Sequence, residues 1–297
     1  MADTSPPPRP PLPPRSPADL GPQDLVWDHF SRPRHDDVVA RIDAAAGAGF
    51  GAIGLYLGAW ARLRSDPTAV EAIDAALDRT GLVVSNIEVV RGWASPDRPD
   101  QSCLDQEALA YEMADHFGCR YLQAIGDHTG SVAEAAVGFG GLCDRAGEHG
   151  LLVGIEWVPS MTNIETAARA AEIVTAADRD NGGFCVDSWH LTRSTNNIDD
   201  ILQLPGDRVF AVQLNDGTIE PQHPDYLEDC LTNRVPPGDG QFDLVGLIRA
   251  LDQIGSTAPL GLEVCSTELW QGPVDVAAAV SAQGMRRILA EARPETR

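Results

Sequence analysis

No part of this chain is apolar over the roughly 20 residues that a bilayer-spanning helix requires, so no membrane partner is expected. No apolar core follows the initiating Met1, which argues against a secretory signal. No two cysteines form a CxxC pair. The six (103, 119, 143, 185, 230 and 265) are scattered, several within apolar runs, where a thiol acts as a small hydrophobe. Reduced thiols in a cytoplasmic protein are therefore expected. No cluster of basic residues stands out, and the net charge of -22 with a pI near 4.5 would repel a phosphate backbone, so nucleic acid is not an expected partner. A dinucleotide site is also unexpected. Gly49, Gly51 and Gly54 form a literal GxGxxG, but it follows a helix and leads into a strand, the reverse of the required order. It is better read as a helix stop and a place of close packing.

Nine prolines crowd the first 22 residues, a composition that forms neither helix nor sheet, so residues 1–22 are expected to be a disordered tail. Its PxxP patterns leave a docking role open. From residue 23 to 297, strand-like and helix-like segments alternate. Strands are predicted at Asp24–Trp27, Ala52–Leu57, Leu82–Val90, Arg120–Ile125, Leu151–Trp157, Gly183–Val186, Val209–Leu214 and Leu260–Val264. Amphipathic stretches separate them, several ending in Gly as helix C-termini do. Eight such units in about 275 residues predict an α/β fold, a single (β/α)8 TIM barrel; a doubly wound open sheet is the alternative.

Four oxygen-bearing side chains lie at or near strand ends: Glu156 in LLVGIEW, Asp187 in GGFCVDSWH, Gln213 in VFAVQLND and Glu263 in LGLEVCS. Burying an unpaired carboxylate costs several kcal/mol, so each needs compensation. Their spacings are 31, 26 and 50 residues, and the first two match one β/α unit each. Adjacent strands lie about 4.8 Å apart, which lets the four reach a common point at the barrel mouth. Three carboxylates and an amide oxygen make a hard set suited to one Mn²⁺ or Mg²⁺ ion, with Co²⁺ tolerated. The competing reading is that each caps a helix or pairs with an arginine.

His190, three residues past Asp187, is placed to bond a ligand carboxylate, bind a substrate hydroxyl or carry a proton. Residues 215–242 form a long connection that carries Arg234, a candidate grip for a substrate oxyanion or else a surface arginine. Trp60, Trp93, Trp157 and Trp189 lie close after strand ends, where they would wall a binding site or simply seal the mouth; Trp93 is the candidate substrate contact.

The segments GIEW, CVDSWH, VQLND and LEVC, with PGDGQFDL, resemble those of the xylose-isomerase-like TIM barrels, a group that includes sugar phosphate isomerases and epimerases, over about residues 24 to 290. The resemblance implies a metal held by Glu156, Asp187, Gln213 and Glu263, with His190 near the substrate. Many members carry His where this chain has Gln213; similar glutamines occur in dehydroshikimate-dehydratase-like and hydroxypyruvate-isomerase-like branches. The extra His and Asp ligands of the family's nucleases are not evident. The expected activity is a metal-dependent isomerase or epimerase of a small polyol or keto-sugar, working through an enediolate. Glu156 and Glu263 would exchange the proton, while His190 and Arg234 would orient hydroxyls. The alternative is a dehydratase acting on an inosose- or dehydroshikimate-like keto-polyol, with His190 as proton donor. Barrels of this group commonly pair, so a homodimer is possible.

Overall fold

The computed structural model describes residues 20, 24–94 and 100–294. Eight parallel strands close into a barrel in sequence order: β1 Leu25–Trp27, β2 Ala52–Tyr56, β3 Val83–Arg91, β4 Tyr121–Ile125, β5 Leu152–Glu156, β6 Gly182–Asp187, β7 Val209–Leu214 and β8 Leu260–Leu262. β1 pairs with both β2 and β8, which closes the ring. Seven of the predicted strands match these within one residue at each end. β8 is shorter than expected, so Glu263 sits just beyond it. The expected tail lies outside the described residues except for Leu20, which is buried and accepts a hydrogen bond from Arg293 Nη1 at 2.8 Å.

The helices cover the ring because their apolar faces need a partner and the strands present one. Their starts are set by short polar side chains: Asp37 caps α1 (Val38–Ala48), Asp66 caps α3 (Pro67–Thr80) and Asp100 caps α4 (Gln101–Phe117). Ser131 and Glu134 form a reciprocal capping box at α5 (Val132–Gly147). Part of the acidic excess is thus spent on helix starts. Gly49 ends α1 in the left-handed region at φ 80°, as the sequence reading expected of that glycine.

The barrel interior is lined by small and polar residues as well as apolar ones. At Gly54 of β2 a Cβ would meet Glu88 Oε1 at 2.4 Å and Asn86 Nδ2 at 2.6 Å, so the absence of a side chain makes room for theirs. Between β7 and α9 (Leu244–Gln253), the long connection folds on itself and contains α8 (Tyr226–Thr232). Asp216 pins it, accepting from the backbone N–H groups of Gly217, Gly238 and Phe242 at 2.8–2.9 Å.

Candidate active site

Parallel strands bring their C-terminal ends to one face, so Glu156, Asp187, Gln213 and Glu263 meet at the mouth. All four are buried. Glu156 and Asp187 are the last residues of β5 and β6, and Asp187 lies in register with Gln213. Gln213 Nε2 donates to Glu263 Oε1 at 3.1 Å, while Gln123 Nε2 bridges Glu156 Oε2 at 2.6 Å and Gln213 Oε1 at 3.1 Å. Glu156, Gln213 and Glu263 are therefore one hydrogen-bonded group, which Asp187 joins through Arg234.

His190, in α7 (Ser188–Ser194), places Nε2 3.1 Å from Glu156 Oε1, and its Nδ1 meets the Tyr226 hydroxyl. Possible ligand atoms of Glu156, Asp187 and His190 lie within 4.8 Å of one another. Glu263 is not part of that triad.

Arg234 departs most from its expected role. It is 1% exposed, and Nη1 donates to Asp187 Oδ2 at 2.8 Å and to Glu263 Oε2 at 2.9 Å. Nε donates to the Cys230 carbonyl at 2.9 Å, so the guanidinium braces protein carboxylates. Its length lets it reach inward from the β7–α9 connection, which sequence distance hides. Asp187 also caps α7, accepting from Trp189 N at 2.5 Å and His190 N at 3.2 Å. Capping and arginine pairing thus both occur at Asp187.

One cation between two carboxylates favours ionisation unequally. Burial opposes the charge on Asp187, but Arg234 and His190 outweigh it and hold the group below the ordinary carboxylate range. At Glu263, burial dominates over Arg234, and the charges of Asp187 and Glu156 add to it, so its carboxyl is held well above that range. Two more carboxyls, Asp28 and Glu88, share the interior, linked through Asn86 Nδ2 at 2.6 and 2.9 Å. Five buried carboxyl groups with one guanidinium in contact form a site short of positive charge. An oxygen-rich set in that deficit fits a hard divalent cation.

A cavity of about 540 Å³ opens over this group. Glu156, His190, Arg234 and Glu263 lie on its wall. The expected tryptophan contacts do not. Trp93 is 1% exposed and packs on Phe139, while Trp157 and Trp189 are fully buried. They belong to the buried core, and the aromatic wall comes instead from Phe30 and Tyr56. Gln123, Asn86, Glu88, Asp28 and Tyr226 escaped the sequence reading. The first three carry the signal that exposed the quartet, a polar residue within an apolar strand (YLQAI, VVSNIEVV). Tyr226 has no such signal.

The sequence matches the family described as xylose isomerase-like TIM barrel over residues 42–288. The chain belongs to that family. It is 26% identical over 258 residues to a 3-dehydroshikimate dehydratase of Pseudomonas putida, covering 84% of this chain and 39% of that protein. It is 32% identical over 132 residues to an inosose isomerase of Bacillus subtilis, covering 44% and 46% respectively. The chain thus spans about two-fifths of the length of the dehydratase it matches. Among solved structures, the IolI protein with a bound zinc atom superposes with a TM-score of 0.79 at 18% identity, covering 91% of this chain and 99% of that one. A D-allulose 3-epimerase from Methylomonas superposes at 0.67 with 18% identity, covering 89% and 96%. These structural matches concern the fold.

Proposed function

We propose that this chain is a divalent-metal-dependent enzyme that removes the proton beside the carbonyl of a small keto-polyol and completes the reaction as a dehydratase. The observation that carries the reading is the Glu156–His190–Tyr226 chain of hydrogen bonds on the wall of a cavity that Glu263 also faces. Glu263 or Glu156 accepts the carbon-bound proton. His190 passes a proton to the departing hydroxyl, which leaves as water while a carbon–carbon double bond forms. Gln123 and Arg234 fix the carboxylates, so little reorganisation is needed as charge moves. Glu156, Asp187, Gln213 and Glu263, with His190 beside them, are the residues that would hold the ion. When bound, it supplies a Lewis acid for the carbonyl oxygen, with Mn²⁺ our first assignment.

The match to dehydratases over most of the chain supports elimination as the outcome. An isomerase or epimerase is the second reading, supported by two carboxylates facing one cavity from β5 and β8 and by the inosose isomerase match. Incubation with dehydroshikimate, inososes and ketoses in deuterated water separates them. Loss of water marks a dehydratase; deuterium entering with no water lost marks the second reading. Glu263→Gln should lower turnover at least about a hundredfold with the fold retained. Full turnover after chelation would overturn the metal assignment.

A further inference from the structure

The chain has no lysine; all 22 of its basic residues are arginines, set against 44 acidic ones. With two acids for each arginine, a carboxylate is available for every guanidinium, and most of them are visibly tied down. Arg32, Arg64, Arg79, Arg145, Arg169 and Arg179 each meet a carboxylate within 3 Å. Others, such as Arg41, Arg249 and Arg286, donate to backbone carbonyls. Among the described residues, Arg34 and Arg91 stand apart, because neither side chain donates a hydrogen bond or forms an ion pair with the protein. Both line the same opening, that of the 540 Å³ cavity.

Their placement is specific. Arg34 lies in the β1–α1 connection, its guanidinium carbon 5.5 Å from the Phe30 ring centre and 5.8 Å from that of Tyr56. Contact with ring faces steadies a guanidinium while leaving its edge N–H groups available for a planar acceptor. Arg91 ends β3, in register with Ile125 of β4. The closed strand order therefore puts both cations on the β1–β3 side of the rim, while Glu156, Asp187, Gln213 and Glu263 come from β5 to β8. Phe30 and Tyr56 lie with the two arginines at the exposed opening. The buried carboxyls lie deeper, where a metal would neutralise them.

We propose that Arg34 and Arg91 form an anion subsite, so that the substrate carries a carboxylate or phosphate group at the end remote from the reacting carbonyl. The assignment takes from the proposed function only that the cavity is the substrate site. In a chain of net charge -22, an anionic substrate needs such a local cationic patch to enter at all.

The test is calorimetric titration of the Mn²⁺-loaded full chain with three unreactive probes. These are quinate (a cyclic polyol carboxylate), myo-inositol 1-phosphate and neutral myo-inositol. At least one anion should bind about tenfold or more tightly than myo-inositol, and the tighter of the two identifies the group. Arg34→Gln and Arg91→Gln should each weaken that anion about fivefold or more, leaving myo-inositol binding and thermal stability unchanged. Equal affinity for all three probes, no measurable binding of either anion, or unchanged anion binding in the double variant would overturn the proposal. Anion binding that depends on both arginines, in a protein that neither dehydrates nor exchanges deuterium, would sink the proposed reaction alone. A dehydratase indifferent to both substitutions would sink the subsite alone.

Discussion

Replacing Asp28 by Asn should change how stability depends on pH. Asp28 follows β1 and is 1% exposed; its Oδ1 accepts from Asn86 Nδ2 at 2.6 Å, while Oδ2 has no partner among the described residues. Gly261 leaves it space, since a Cβ there would lie 2.3 Å from Oδ2. Burial is the main reason that its carboxyl is pushed up from 3.8 to about 7, against the hydrogen bond from Asn86 that favours the charge. Between those two values the folded chain keeps a proton that the unfolded chain has released. Stability is therefore lost as pH rises through this window, and the loss levels off above about 7. A rise of about three pH units corresponds to about 4 kcal/mol. Asn retains an oxygen for Asn86 and cannot ionise. The stability of Asp28→Asn relative to the unsubstituted chain should therefore improve by about 4 kcal/mol between pH 4 and pH 8. Urea unfolding followed by tryptophan fluorescence at each pH measures the difference; the carboxyl of Glu88, raised by burial and by the charge of Asp28, shifts the difference in the same direction. A difference that stays flat from pH 4 to 8, or that moves the other way, would refute the reasoning.

Arg234→Met removes the cation between Asp187 and Glu263 and should cost about 3–5 kcal/mol, because two buried carboxyls lose their partner. Added Mn²⁺ should restore part of the lost melting temperature, and a variant as stable as the parent without metal would show that the pair does not need the arginine. Tyr226→Phe removes the hydroxyl that meets His190 Nδ1. Turnover should fall about fivefold with KM nearly unchanged, since the loss of one hydrogen bond of about 1 kcal/mol acts on the orientation of His190. An unchanged pH–rate profile and turnover would remove Tyr226 from the site.

Much of the barrel was legible because its signals are local. Strand-length apolar runs recur after helix stops, and the polar residues at their ends break a pattern that hydrophobic burial otherwise enforces. Glu156, Asp187 and Gln213 were found this way, and they fall at the last or penultimate positions of β5, β6 and β7. The same reasoning applied to Asn86, Glu88 and Gln123 would have found the rest of the polar interior. The tryptophans misled because nearness to a strand end does not say which side of the sheet a ring faces. Trp93 turned outward, toward Phe139 of α5, and away from the cavity.

By itself the sequence determined the (β/α)8 architecture, the excess of negative charge and the oxygen-rich ring of side chains at the mouth, all properties of periodicity and residue type. The tertiary structure decided how those charges are shared. It brought Arg234 from a connection 47 residues beyond Asp187 onto two of the carboxylates and set Tyr226 against His190. Among the described residues, it also left Arg34 and Arg91 without an acceptor at the cavity opening. Such pairings depend on where long side chains end in space, and closure of the barrel, which makes distant strands neighbours, is what fixes those positions.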